Sequence, residues 1–381
     1  MKKLFAILLS AVLVVSLFGC GGSGSSAKTI KIGMVVPLTG DRASEGTYAT
    51  NAAKIVQDEI NGNGGVLGKN IEIVTEDSQG TDVGATTAYL KVAADDDIVA
   101  IIGPDNSNDD IAISDSAEKS AILTTTQGSS PKLQAVCEKG QWLFQLRATD
   151  STLCGALMNF AVTEIGVKTF TVIHDTETAS ADQGRLFSEG ITAAGGTVDA
   201  DISFTTGTKD FTAQLTQAQK AGSEAIVIAG LQTEDAIIIQ QLRDMGMTQP
   251  VFGSNGFGDT VTVGMAGKSI EGVYSVTAWV PNTPNELGAA FSKKYHDTYN
   301  QDCAKAAAQI RDHVYVICEA IKQANSTDRT AVRDAMLKIT DFQGAITSYD
   351  CSKRGNCGKG GLIVQIKNLT PTIVKELSSA D

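Results

Sequence analysis

From Thr29 onward the spacing of apolar residues switches between two periods. Short apolar runs, "TIKIGMVVPL", "KNIEIVTED", "IVAIIGP" and "AILTTT", read as strands. Between them lie segments whose apolar positions recur every three or four residues. The first, "EGTYATNAAKIVQDEINGNGG", lines up Tyr48, Ala52, Ile55, Val56 and Ile60 and stops at glycines. "TDVGATTAYLKVAADDD", opened by Thr81 or Asp82, and "SNDDIAISDSAEKS" are the next helices. The alternation then restarts. "QWLFQLRA", "KTFTVIHD", "TVDADISF" and "EAIVIAG" are strands. "DSTLCGALMNFAVTEIG", "ADQGRLFSEGITAAGG", "DFTAQLTQAQKAG" and "TEDAIIIQQLRDMGM" are helices. Strands "PVFGSN" and "GVYSVTAW" flank a short helix. Helices over 285–299, 304–324 and 328–339 follow, and short strands near "GAITSYD", "GLIVQIKN" and "PTIVKEL" finish the chain.

Apolar strands alternating with amphipathic helices predict parallel sheets covered on both faces. The pattern occurs twice, near 29–140 and 168–255. The fold class expected is therefore α/β, with two doubly wound parallel-sheet lobes. In such sheets ligands sit beyond the carboxyl ends of the strands, where helix N-termini point. Two lobes can turn those ends toward a shared cleft.

Composition narrows the function. Hydrophobic residues make up 42% of the 381 and charged residues 19%, enough for real cores. The net charge of −12 disfavours nucleic acid, which needs clustered cations. "MKKLFAILLSAVLVVSLFGC" has Lys2 and Lys3, then an uncharged apolar stretch from Leu4 to Phe18, the shape of a secretory signal. The stretch is short for a membrane span of ~20 residues. Its ending, "LFGC", resembles the bacterial lipobox, which implies a lipoprotein signal over 1–20 with Cys20 lipidated and a flexible tether over 21–28. Six further cysteines in an exported protein suggest disulfides. Cys351–Cys357 across "CSKRGNC" is the leading pair, with Cys137–Cys154 and Cys303–Cys318 by sequence proximity. The chain has no CxxC and only His174, His296 and His313, so no metal site is expected.

The ordered series of segments carries a family resemblance. "IKIGMVVPLTG" followed by "AAKIVQDEINGNGGVLGKNIEIVTEDSQG" resembles the start of the branched-chain amino-acid-binding proteins, the type I periplasmic solute receptors of ABC importers. "IIGPDNSNDDIAISDSAEKSAILTTTQGSSPKL", "TFTVIHD", "DFTAQLTQAQKAGSEAIVIAG", "AGKSIEGVYSVTAW" and "RDAMLKITDFQGAITSYD" continue it in order, over essentially all of 28–370. The resemblance implies three hinge crossovers, near 144–148, 274–279 and 341–348. The N-terminal lobe would be 28–145 with 279–342, and the C-terminal lobe 146–278 with 343–381. It implies capture of a small amino-acid-like or carboxylate solute by lobe closure and delivery to ABC importer permease subunits. The protein would be a monomer, exported, and either lipid-anchored on the outer face of the cytoplasmic membrane or periplasmic. The other reading in the same fold is a ligand sensor for a signalling or chemotaxis partner. No cofactor and no enzyme activity are expected: there is no GxSxG and no P-loop.

The family's solute-binding serine matches Ser107, flanked by Asp105 and Asn106. Its acceptors of an amino acid's carboxylate match Gln127, Gly128 and Ser129. Ser107 also reads as a helix N-cap, with Asp110 as its capping-box partner. Glu45 stands where the family often has an aromatic. Thr178 lies near the position of a family tyrosine. The family's acid for the ligand ammonium matches Asn255, which is neutral, while Leu231 and Phe257 would be apolar walls. Either Glu45 or Asp105 replaces that acid, or the solute lacks an α-ammonium group. Arg147, at the first crossing, and Arg311 are further cations that could reach a carboxylate, Arg311 reading more readily as a local ion pair with Asp312 or Glu319.

Overall fold

The computed structural model describes residues 29–377. The signal, the lipobox with Cys20 and the tether lie outside the described residues.

The first sheet is built from β1 (Ile30–Val36), β2 (Ile71–Asp77), β3 (Ile98–Ile102), β4 (Leu123–Thr126) and β5 (Leu143–Gln145). Its strand order is β2-β1-β3-β4-β5, all parallel. The crossover helices are α1 (Ala43–Gly62), α2 (Asp82–Ala93), α3 (Ser107–Ser120) and α4 (Pro131–Lys139), the last of which the sequence pattern did not predict. Strand alternation sorts side chains to two faces. In β1, Ile32, Met34 and Val36 enter one core and Val35 the other. Gly33 interrupts that run because α2 packs against it: a Cβ there would lie 2.2 Å from Val92 Cγ1.

The second lobe holds α5 (Asp150–Phe160), β6 (Thr169–Asp175), α6 (Thr178–Ala193), β7 (Thr197–Phe204), α7 (Thr212–Ala221), β8 (Ala225–Ala229) and α8 (Gln232–Asp244). β9 (Val251–Gly253), α9 (Thr260–Ala266) and β10 (Tyr274–Thr277) follow. Its parallel order is β10-β9-β8-β6-β7. In β8, Ala225, Val227 and Ala229 face one core while Ile226 and Ile228 face the other. The chain then returns to the first lobe as α10 (Glu286–Tyr299), α11 (Lys305–Ala324) and α12 (Arg329–Met336). A small hairpin, β11 (Phe342–Gln343) with β12 (Ser348–Tyr349), precedes β13 (Gly361–Lys367) and β14 (Thr370–Leu377). The last two strands extend the second sheet antiparallel, so that sheet is mixed at one edge.

Two features differ from expectation. The chain leaves the first lobe's core only after Cys357, not at 342: Ala345, Tyr349, Cys351 and Cys357 all pack there. Asp312, buried on α11, is the reason. Its carboxylate accepts from Ala345 N at 2.7 Å, Ile346 N at 2.9 Å and the Tyr349 hydroxyl at 2.9 Å, holding the hairpin to the first lobe. A Cβ on Gly344 would lie 2.4 Å from that carboxylate. Second, the expected disulfides are not formed; all six described cysteines are buried free thiols. Cys137 and Cys154 lie in different cores, which separates that pair outright. Arg311, by contrast, makes the local ion pair expected of it, with Asp312 at 2.7 Å, and stacks 4.6 Å from the Tyr315 ring.

Candidate functional site

A cavity of about 360 Å3 lies between the lobes. Loops after β1, β3 and β4 wall it from the first lobe, and loops after β7, β8 and β9, with the start of α6, from the second. This is where the carboxyl ends of parallel strands place ligands. Of the residues singled out from sequence, Glu45, Asp105, Asn106, Ser107, Gly128, Ser129, Leu231 and Asn255 line it. Three do not. Gln127 is buried and donates its Nε2–H to Gly103 O at 2.9 Å. Thr178 gives way to its neighbours Ala179 and Ser180. Phe257 is a core residue, not a cleft wall. Its ring fills the space beside Gly253, where a Cβ would lie 2.1 Å from Cδ2.

The loop after β3 is self-contained. Asn106, not Ser107, caps α3: its backbone is extended and its Oδ1 accepts from Asp109 N at 3.0 Å. Ser107 Oγ is thereby free to accept from Ser129 N and Ser130 N, both at 3.1 Å. Asp110 is no capping-box partner; its Oδ2 accepts from Gly128 N at 2.9 Å. The two loops touch closely enough that a Cβ on Gly128 would lie 2.5 Å from Ser107 Oγ and 2.7 Å from its Cα. The backbone donors expected to take a carboxylate are thus met by protein oxygens, as buried N–H groups require.

Charge around this loop is matched from α1's leading edge. Arg42 reaches Asp105 at 2.9 Å and Asp109 at 2.6 Å. Burial nevertheless pushes the Asp109 carboxyl up to about 7, against the pull of Arg42. Burial, with a hydrogen bond to Asp105 and its negative charge, holds the Glu45 carboxyl well above the usual range.

Polar bridges cross between the lobes. Lys305, the first residue of α11, donates to Asn255 Oδ1 at 3.0 Å. Asn108 donates its Nδ2–H to Glu177 Oε1, and Glu177 caps α6 by accepting from Ala179 N at 2.9 Å. Lys132 and Asp182 approach to 3.7 Å. Burial pulls the Lys305 ammonium below its ordinary value, and the charge of Arg147 adds to this.

Arg147 sits where the first crossing meets the cavity and is 7% exposed. Its Nη1 donates to Gln127 O at 3.3 Å, while Nε and Nη2 have no partner. Nearby Asp150 accepts from Gln183 Nε2 at 3.0 Å. Arg42, Asp150, Gln183 and Lys305 were not assigned from sequence, and Arg147 was noted only for its place. Lys305 carried a signal: a lysine opening a helix opposes the helix dipole. Arg147 carried another, a charge directly after an apolar strand.

Two α/β lobes that turn their strand ends to one solute-sized cavity define a bilobal solute-binding protein of the periplasmic type I class. The family model described as "Periplasmic binding protein" matches residues 29–368, and the chain belongs to that family. It is 26% identical over 356 residues to the Leu/Ile/Val-binding protein homolog 3 of Brucella melitensis, covering 92% of this chain and 94% of that one. It superposes with a TM-score of 0.84 on LivJ, the branched-chain amino acid transporter substrate-binding protein of Streptococcus pneumoniae, in complex with isoleucine; the two are 25% identical over 92% of this chain and 100% of that one. An R. palustris solute-binding protein in complex with benzoate shares the fold at a TM-score of 0.82 and 18% identity, over 92% of this chain and 97% of that one. The family consists of solute-binding proteins of importers, not enzymes.

Proposed function

We propose that this chain is an exported lipoprotein that captures a small amino-acid-like or carboxylate solute between its lobes and hands it to the permease of an ABC importer. The observation that carries the reading is the cavity of about 360 Å3 with walls from both lobes. That size suits a small metabolite, and a wall shared by two lobes couples binding to their approach. The solutes held by two similar proteins, isoleucine and benzoate, both carry a carboxylate. Anchoring would run through Cys20, and the working unit would be a monomer.

Calorimetric titration of the mature protein with amino acids and small carboxylates tests the reading. Small-angle scattering should show a smaller radius of gyration with the solute that binds. A protein that binds none of them at millimolar concentration and does not contract is not this receptor. Cys20→Ala should release the protein from the membrane fraction without changing solute affinity.

A further inference from the structure

We infer that Arg147, assisted by Lys305, is the anion anchor of the cleft, and that the solute is a small carboxylate without an α-ammonium group. This deepens the receptor reading above and rests on it.

Tracing the inner charges of the cavity wall to their partners, with exposed Asp41 and Lys209 left aside, leads there. Arg42 is met by Asp105 and Asp109. Asp105 is met in turn by Arg42 and by the Glu45 carboxyl. Asp150 accepts from Gln183, and Glu234 accepts from Gly207 N at 2.9 Å. Asn255 Oδ1 takes the ammonium of Lys305. The charges of the inner acids are therefore matched, although neither oxygen of Asp105 completes a hydrogen bond, and a solute ammonium would have to compete with Arg42 for it. Asn255 Oδ1, at the position of the family's acid, already takes a lysine.

Two cations are left without a carboxylate in direct contact. Lys305 faces a neutral amide, and Arg147 faces one carbonyl. The unpartnered donors of Arg147, Nε and Nη2, form one edge of the guanidinium. That edge matches the two oxygens of a carboxylate side by side. Arg147 also borders a second cavity of about 360 Å3 behind the hinge. The charges it interacts with are Asp150, Glu45 and Lys305, and all three line the cleft while none lines the hinge cavity. A buried arginine with two open donors is costly unless an anion meets it. Ser107, whose oxygen is engaged by two backbone N–H groups, adds a hydroxyl donor on the same wall.

Matched probes test this by calorimetry on the mature protein: 3-phenylpropanoate, L-phenylalanine and phenethylamine; 4-methylpentanoate, L-leucine and isopentylamine. The carboxylates should bind at least about tenfold tighter than the amino acids, and the amines should not bind. Arg147→Met should weaken the tightest carboxylate by about 100-fold, the scale of a lost charge-assisted pair. Lys305→Met should weaken it about tenfold. An amino acid that binds tighter than its deaminated counterpart overturns the inference, as does unchanged carboxylate affinity in a folded Arg147→Met variant. Should Arg147→Met fail to fold, unchanged affinity in Lys305→Met, together with amino-acid preference in the parent, overturns it. Native mass spectrometry of protein from its own host separates the two levels. A retained solute without an anionic group sinks the anchor but leaves the receptor; no retained solute and no binding of any probe removes both.

Discussion

Two polar centres face the cleft, and they treat their donors differently. Around Ser107 the backbone donors find oxygens of the protein itself, Ser129 N and Ser130 N on Ser107, Gly128 N on Asp110 and Asp109 N on Asn106, and Arg42 pairs with two carboxylates, although Arg42 Nη1 and both oxygens of Asp105 complete no hydrogen bond. At Arg147 a buried guanidinium keeps two donors unpaired. The first arrangement holds two loops in register. The second leaves two donors of one guanidinium open. Richness in polar side chains is therefore a poor guide to open donors, which show only once each partner is traced.

That contrast can be broken experimentally. The largest effect should come from Arg42→Ala, which strands Asp105 and Asp109 in a buried setting. A loss of about 3–5 kcal/mol is expected in urea unfolding. Ser107→Ala should follow at roughly 2–4 kcal/mol, because two buried N–H groups lose their acceptor. Gly128→Ala should cost about 1–3 kcal/mol, since its Cβ would press on the Ser107 backbone. Arg147→Met, by contrast, should move stability by less than about 1 kcal/mol in either direction. A large loss at Arg147 with no loss at Ser107 would erase the distinction between the centres.

The gentlest probe is pH. Asp109 is an acid whose folded value, about 7, lies above its unfolded value. The folded state therefore binds the extra proton, and its penalty is absent below the unfolded value, near 4. Stability contributed by this group should fall as pH rises from about 4 to about 7, then level off. Chemical unfolding across that range should show the slope, and Asp109→Asn should flatten it. A slope that survives Asp109→Asn belongs to another buried acid.

Much of the fold was readable in the chain. Period-two runs such as Ile30–Val36 and Ala225–Ala229 became strands covered on both faces, because alternation alone sorts Val227 from Ile228. Amphipathic segments such as Ala43–Gly62 became the crossover helices. The ordered motifs placed the chain in its family, and the loop at Asp105–Ser107 reached the cleft. α4 escaped notice because its Pro131 start reads as a turn, although Pro is well placed in a first helical turn. Phe257 misled because an aromatic between glycines reads as a ligand wall until its ring is seen filling the core.

Local chemistry thus determined what each segment becomes: strand, helix, cap and strand-end loop follow from residue periods and short-range hydrogen bonds. Tertiary structure alone decided who satisfies whom. Asp312 claims the hairpin at Ala345 for the first lobe from 33 residues away. Ser107 meets Ser129 across 22 residues, and Lys305 meets Asn255 across 50. A hydrogen bond's value depends on burial and on the competing partners within reach, and neither is a property of position along the chain. Arg147 shows the consequence most plainly. In sequence it is one arginine after a strand; in the fold it is a buried cation with two donors still to give.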